Sequence, residues 1–240
     1  MSATVTDRPS RRGSNAPDVA AYHDFLVTGK ERAQGQRGKL DAFDAKKILS
    51  SAARVEVDVG AGRGIFALAR AASESALRLL AIERKMVRCR HLARRARNEK
   101  LFADVTGNAG IVVIRGDATT LVPLFPSASV DIFHIYFPEP WHRPKWISRR
   151  LVSPAFAAAM ARALIPGGEV RFVTDHAELF RAAVAVLAST ARLRPADTAP
   201  WFAEETFETN FARKWRAEER PFHAARFVSA RRQWDGTVLY

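Results

Sequence analysis

The sequence predicts an α/β domain built on a doubly wound, mostly parallel sheet. Three observations carry that expectation. Short runs rich in Val, Ile and Leu recur along the chain, helix-length segments separate them, and the first run ends in closely spaced glycines at Gly60, Gly62 and Gly64. Parallel strands covered on both faces read as near-continuous apolar runs, and each needs a crossover that is usually a helix.

In chain order, Met1 to about Ala20 is small, polar and proline-containing, and reads as a disordered basic arm. It precedes a single domain over residues 21–240 whose core begins near residue 50. Arg8, Arg11 and Arg12 have no apolar run behind them, so no secretory leader is expected. Gly35 to Gly38 is loop-like, and Asp41 to Ser51 mixes the apolar Phe43 and Ile48 with Lys46 and Lys47 in a helical pattern. Val55, Val57 and Val59 form a first strand, Gly64 to Ala72 a helix with Ile65, Leu68 and Ala69 on one face, and Leu77 to Ile82 a second strand. Arg84 to Lys100 is a second long helix, with Met86, Cys89, Ala93 and Ala96 along one stripe. Ile111 to Ile114 and Val130 to Phe137 are further strands. Pro154 to Leu164 is helical and is ended by the Pro166-Gly167-Gly168 turn. Val170 to Val173 is a fifth strand and Ala177 to Ser189 a helix, while the last thirty or so residues look less regular.

The chain has 240 residues, 48% of them hydrophobic, enough for one domain with a sizeable core. Its 38 basic and 25 acidic residues leave a net charge of +13. That surplus attracts polyanions, since each cation that neutralises a phosphate releases a counterion. An arginine-rich genome would leave the same excess. No Lys/Arg-rich amphipathic helix points to a membrane surface, and no segment is apolar for long enough to span one. Cys89 stands alone, so no internal disulfide forms, which suits a reducing, cytoplasmic setting. Core packing and a thiol tuned by Arg88, Arg90 and Arg94 are both open for it.

The glycine turn reads Asp58-Val59-Gly60-Ala61-Gly62-Arg63-Gly64. Dinucleotide folds space their glycines G-x-G-x-x-G around a pyrophosphate. Here the spacing is G-x-G-x-G, and Asp58 precedes the first glycine by two residues. That carboxylate would repel a pyrophosphate but suits the ammonium and sulfonium of S-adenosylmethionine. Glu83, ending the second strand, is placed to accept from ribose hydroxyls. Asp117, in Arg115-Gly116-Asp117-Ala118, is placed to accept from an adenine amine beside the Ala118 backbone. Each acid alone could be a solvated turn residue. All of them lie at carboxyl ends of strands, where ligands of such sheets bind. No metal site is expected.

The fourth strand runs into Phe137-Pro138-Glu139-Pro140-Trp141-His142-Arg143. Two prolines stiffen the loop and hold Glu139 at a defined place, which in a doubly wound methyltransferase would lie beside the transferred methyl. Trp141 either stacks on a base or packs against the loop, and Arg143, Lys145, Arg149 and Arg150 either hold phosphates or form a solvated face.

These segments together resemble the tRNA (guanine-N7)-methyltransferase family, over roughly Val55 to Arg181 and again Thr209 to Phe227. The likeness rests on the Asp58–Gly64 turn, Ile82-Glu83-Arg84, Arg115-Gly116-Asp117-Ala118, Phe137-Pro138-Glu139-Pro140-Trp141, Arg149-Arg150-Leu151-Val152 and Val173-Thr174-Asp175. It implies a Rossmann-like, seven-stranded sheet and transfer of a methyl group from S-adenosylmethionine to a guanine of the tRNA variable loop, leaving S-adenosylhomocysteine. By that likeness Asp58, Gly60, Gly62, Gly64, Glu83, Asp117, Ala118 and Glu139 line the cofactor. Arg143, Asp175, Thr209, Asn210 and Phe211 contact the tRNA, with Glu139 and Asp175 closest to the chemistry. Two positions depart from the family: Glu139 replaces its usual Asp, and Ala212 replaces a Glu. Glu205 or Glu208 are candidates to compensate.

Guanine N7 has an in-plane lone pair and no proton, so alignment rather than a general base is required, and carboxylates favour the positive charge that grows on the ring. The rival expectations are a methyltransferase of another RNA, a protein or a small molecule, and an RNA-binding paralogue with impaired catalysis. Glycine spacing disfavours an NAD-dependent oxidoreductase, and the missing Asn/Asp-Pro-Pro-aromatic pattern disfavours a DNA amine methyltransferase. Monomer and homodimer are both open.

Overall fold

A computed structural model describes residues 22–26, 40–41, 43–50, 54–107, 109–198, 218 and 221–230. The sheet is built from β1 (His23–Asp24), β2 (Arg54–Val59), β3 (Leu77–Glu83), β4 (Gly110–Arg115), β5 (Val130–Tyr136), β6 (Leu164–Thr174), β7 (Leu193–Ala196) and β8 (His223–Ser229). The helices are α1 (Ala45–Leu49), α2 (Ile65–Ser73), α3 (Met86–Asn98), α4 (Ala118–Leu121), α5 (Pro154–Ala163) and α6 (Ala177–Ser189). Two 3₁₀ turns, at Val122–Leu124 and Pro144–Arg149, complete the elements that matter below.

The strand order is β1-β4-β3-β2-β5-β6-β8-β7, eight strands rather than the expected seven. All neighbouring pairs are parallel except those made by β8, which runs antiparallel to β6 and β7. From β2 the chain winds outward through β3 and β4, then returns to β5 on the other side of β2. The crevice above β2 and β5 is therefore the place where crossovers part, and ligands of such sheets bind there.

Two apolar layers cover the sheet. On one face α2 and α3 bury Ala67, Leu68, Ala71, Cys89, Leu92, Ala93 and Ala96 against Leu77, Leu79 and Ala81 of β3 and Ile111 and Val113 of β4. On the other, α1, α5 and α6 pack Ile48, Phe156, Met160, Leu179 and Leu187 against Val55, Val57, Leu80, Phe133 and Phe172. The small residues of α3 let its backbone approach the sheet closely, while Arg88, Arg90, Arg94 and Arg97 point to solvent. Helix starts follow side-chain caps. Ser153 accepts from the Phe156 amide at 3.2 Å with Pro154 in the first turn, and Asp44 accepts from the Lys47 amide at 3.1 Å.

Several expectations need correcting. The first helix is only Ala45–Leu49, because its pattern had no second turn to bury. The face of α2 is Phe66, Ala67, Leu68 and Ala71, not Ile65 and Ala69. Met86 is 38% exposed, and Leu92 takes its place in the α3 stripe. Pro166-Gly167-Gly168 does not separate a helix from a strand. It lies inside β6 as an irregularity, where the register jumps from Val130↔Leu164 to Ile132↔Glu169 and Gly167 takes φ +83. The tail holds β8, whose residues alternate between buried and half-buried, as fits an antiparallel partner near a sheet edge. The basic arm (1–20), the loop at 35–38, Trp201, Glu205, Glu208, Thr209, Asn210, Phe211, Ala212 and Trp215 lie outside the described residues. No helix among the described residues is long and apolar enough to cross a membrane.

Candidate functional site

The glycine turn follows directly from β2. The amides of Gly60 and Ala61 both donate to the Ile82 carbonyl, at 2.8 and 3.0 Å, which folds the chain over the end of β3. Gly60, Gly62 and Gly64 have φ of +85°, +59° and +77°, a region that side chains with a Cβ resist. At Gly64 space forbids a side chain as well, since a Cβ would sit 2.0 Å from Leu92 Cδ1. Gly64→Ala is therefore expected to cost about 2–4 kcal/mol of stability. Chemical denaturation reads the loss, and an unchanged midpoint would show that Leu92 yields freely.

Glu83 does more than the ribose contact expected of it. Its Oε2 accepts from the Gly62 amide at 3.1 Å and its Oε1 from the Lys85 amide at 2.7 Å, with Arg88 Nη1 3.5 Å away. The side chain thus locks the turn to the end of β3. A carboxylate offers about four acceptor positions, so a ribose hydroxyl can still be received. This bond was invisible in the sequence, because it joins groups far apart along the chain.

Asp58 is 4% exposed, and its Oδ2 has no hydrogen-bond partner among the described residues. Burial, with the charge of Glu83 second, pushes its carboxyl up to about 7 from an ordinary 3.8. A buried polar atom left unpaired is costly, and one at a ligand edge calls for a donor or a cation. The ammonium of an amino-acid-like ligand fits that demand. Cys89, by contrast, is pushed up to about 12, chiefly by burial, so the packing reading stands and the reactive-thiol reading falls.

Asp117 caps α4. Its Oδ1 accepts from the Thr119 amide at 3.0 Å and from the Thr119 hydroxyl at 2.6 Å, while Oδ2 lies 3.9 Å from Arg84 Nε. Ala118 is buried behind it. Both stand at the carboxyl end of β4, so Asp58, Glu83 and Asp117 do share one rim of the sheet, on adjacent strands.

The proline loop leaves β5 under strain. Phe137 and Trp141 adopt φ of +50° and +43°, uncommon for bulky residues. The Phe137 amide donates to the Val173 carbonyl at 2.8 Å and its ring meets Phe222 at 5.3 Å. Glu139 between these anchors is exposed. Trp141 packs edge-on against Trp146 at 6.0 Å, and the guanidinium of Arg149 lies over both rings at 5.4 and 5.9 Å. Arg143 and Lys145 also cover Trp146, at 4.9 and 5.3 Å. Trp141 therefore packs within the loop, and Trp146, which sequence reasoning passed over, is the centre of an exposed cationic cluster. Arg150 departs from the phosphate reading. Its Nε donates to the Pro140 carbonyl at 3.2 Å and its Nη2 to Glu178 at 2.6 Å, so it straps the loop to α6.

Asp175 is exposed at the end of β6, the neighbour of β5. The flanking residues are tied down: the Thr174 hydroxyl accepts from the His176 amide, and His176 Nδ1 accepts from the Leu179 amide, each at 3.2 Å.

Behind the rim lies a polar cluster that no pattern announced. Glu56, wholly buried on β2, accepts from Arg70 Nε and Nη2 at 2.9 and 2.7 Å and lies 2.7 Å from His134 Nε2. His134 Nδ1 is in turn 2.7 Å from the Tyr136 hydroxyl. Burial opposes the Glu56 charge, but the hydrogen bonds and charges of His134 and Arg70 outweigh it and hold the carboxyl down to about 2.

Comparison with known proteins adds to this geometry. Residues 52–225 match a family described as "Putative methyltransferase". The chain is similar to a tRNA (guanine-N(7)-)-methyltransferase of Caulobacter sp., 32% identical over 136 residues, covering 57% of this chain and 57% of that one. It is similar also to a protein of the same description from Rubrobacter xylanophilus, 23% identical over 214 residues, covering 88% and 92%. The Caulobacter match thus spans little more than half of that relative's length. Among solved structures, a 16S rRNA (adenine(1408)-N(1))-methyltransferase from Catenulisporales acidiphilia with cosubstrate SAM shares the fold. Its TM-score is 0.53 at 15% identity, over 80% of this chain and 93% of that one.

Proposed function

The chain belongs to the methyltransferase family that its residues 52–225 match, and on that premise we propose that it transfers a methyl group from S-adenosylmethionine to N7 of a tRNA guanine. That this guanine is the one at position 46 of the variable loop is part of the proposal. The observation that carries it is the buried Asp58 oxygen, without a hydrogen-bond partner among the described residues, beneath a glycine turn and on a rim shared with Glu83 and Asp117. A pyrophosphate would meet a carboxylate there, whereas a cationic amino acid meets its counter-ion.

In this reading Asp58, Gly60, Gly62 and Gly64 receive the amino-acid end, Glu83 the ribose, Asp117 with the Ala118 backbone the adenine, and Glu139 the edge nearest the acceptor. S-adenosylmethionine, when bound, supplies an electrophilic methyl on its sulfonium. The chain's residues supply alignment and charge. Glu139 and Asp175, on adjacent strand ends, set two carboxylates near the guanine ring as it becomes cationic. Either can also accept from guanine N1–H and the 2-amino group, which adenine cannot match. Arg143, Lys145 and Arg149 hold phosphates, and Thr209, Asn210 and Phe211 belong to the same proposal as substrate contacts. The net charge of +13 and the relatives' descriptions support tRNA as the acceptor and a cytoplasmic enzyme.

Incubating the protein with labelled S-adenosylmethionine and bulk tRNA, then identifying the modified nucleoside, tests the proposal. 7-Methylguanosine is the expected product, and any other methylated base would replace the acceptor half of the reading. Affinity for tRNA is expected to fall steeply with salt, with a slope of log K on log salt of about −2 or steeper. A flat response would remove the phosphate contacts.

A further inference from the structure

We propose that the solvent face of α3 is a second RNA-binding surface, which holds the phosphate backbone of the tRNA through Arg90 and Arg94, away from the site of methyl transfer. The inference rests on the reading of tRNA as the acceptor. It goes beyond that reading, since none of the substrate contacts assigned above lies on this helix.

The charge of the chain is concentrated here. Between Arg84 and Lys100 stand eight cations and one acid, a net +7 in 17 residues and more than half of the total of +13. An arginine-rich genome would spread its surplus over the whole surface. A solvated helix face offsets its cations with acids one turn away, and α3 does so once, where Arg95 Nη2 lies 3.4 Å from Glu99. The rest of the pattern works against the helix. Its first turn holds no acid to complement the macrodipole, and Arg90 and Arg94 are like charges at i and i+4. Cations kept where they destabilise their own helix call for a polyanion that offsets the repulsion. The apolar side of α3 is committed to the sheet, so the exposed face is a charged surface and not a membrane anchor.

Position separates this surface from the donor rim and from the proline loop. The cations nearest the rim are taken up by its acids: Arg88 Nη1 lies 3.5 Å from Glu83, and Arg84 Nε lies 3.9 Å from Asp117. Arg97 covers the Phe102 ring at 4.5 Å. Arg90 and Arg94 are exposed and face no carboxylate among the described residues, and Arg94 meets the His91 ring at 3.5 Å. With Val87, which is 65% exposed, and Asn98 they stand at i, i+3, i+7 and i+11, one stripe on the side away from Cys89, Leu92, Ala93 and Ala96. A rise of about 1.5 Å per residue puts Arg90 and Arg94 roughly 6 and 12 Å down the axis from Met86 at the rim. α3 packs on β3 and β4, whereas the proposed guanine position is beside β5 and β6, at least two strand spacings of about 4.8 Å away. A free nucleotide does not bridge these places, and a folded RNA does.

Arg90→Gln together with Arg94→Gln removes two charges, keeps good helix formers and relieves the repulsion, so its melting midpoint should be no lower than the parent's. Binding of full-length tRNA is measured over a range of salt on the whole chain. A second variant, Lys46→Gln together with Lys47→Gln, takes the same charge from exposed positions of α1, on the other face of the sheet. We expect the α3 variant to weaken tRNA about tenfold and to lessen the slope of log K on log salt by about 1.5, and the α1 variant to change both far less. Equal losses in the two variants, or an unchanged slope in the first, overturn the proposal. So does a lowered melting midpoint, which would mark the arginines as supports of the helix. Calorimetry is expected to give the parent's affinity for S-adenosylmethionine in the α3 variant, and a weakened donor would assign these arginines to the rim and overturn the separate surface. If the unaltered chain does not bind tRNA, the acceptor reading itself falls, a result distinct from a variant that binds tRNA as the parent does.

Discussion

Asp58→Asn is expected to weaken binding of the methyl donor sharply while making the ligand-free protein more stable at neutral and alkaline pH. Both effects come from the same atom. The Asp58 carboxyl is buried, with an oxygen that no described residue satisfies, and burial followed by the Glu83 charge lifts it from 3.8 to about 7. In the unfolded chain it ionises freely near 3.8. Between that value and about 7 the folded state holds a proton that the unfolded state has lost, so stability falls as pH rises through this window and levels off above it. A shift of this size corresponds to at most about 4 kcal/mol, and relaxation of the apo crevice brings the expected gain in Asp58→Asn to roughly 2–4 kcal/mol at pH 8. Near pH 4 the two proteins should melt alike. Losing one partner of a buried charge pair costs several kcal/mol, so affinity for S-adenosylmethionine should fall on the order of 100-fold. In the parent, affinity should rise from pH 6 to 8 with release of a proton on binding, which calorimetry in buffers of different ionisation heat detects. Binding of parental strength in Asp58→Asn, or a stability gain at pH 4 equal to that at pH 8, would sink this account.

Such a residue also explains which parts of the molecule were legible from sequence. Strands β2 to β5 are buried on both faces, so their composition announces them, and α6 was readable to its ends because its apolar spacing is regular over Ala177–Ser189. The rim acids were readable because their places follow from where strands stop. β1, β7 and β8 were not, since a two-residue strand carries no period and Leu-Arg-Pro-Ala of β7 has one buried residue. The irregularity in β6 was misread because Pro-Gly-Gly marks a bend without saying whether pairing resumes after it. The Glu56–His134–Tyr136 chain was hidden for a different reason. Glu56 and Asp58 interrupt an apolar strand, and only the strand order brings Arg70 and His134 to Glu56. Likewise Arg149 and Arg150, adjacent and identical in sequence, part company in space: one lies over tryptophan rings, the other is consumed by Pro140 and Glu178.

Asp175→Ala is expected to lower turnover by about 100- to 1000-fold with little change in tRNA affinity, the size seen when one preorganised transition-state group is removed. The case rests on where the chain spends its hydrogen bonds. Thr174 and His176 are each committed to backbone amides at the junction of β6 and α6, which fixes the main chain on both sides of Asp175. Asp175 itself is exposed, so its carboxylate is open for a ligand to enclose. A guanine delivered between β5 and β6 would do so, and the ring's growing positive charge would then be felt in a space from which water has been displaced. Since guanine N7 has no proton to lose, on the proposed reading the carboxylate would act by charge and by accepting from N1–H, not as a base. The rate should therefore follow Asp175 in charge rather than in proton affinity: Asp175→Asn should recover part of the guanine contact yet little of the rate. Single-turnover methylation and filter binding of the same tRNA measure the two quantities separately. Parental turnover in Asp175→Ala would remove this side chain from the reaction and leave Glu139 as the carboxylate near the methyl.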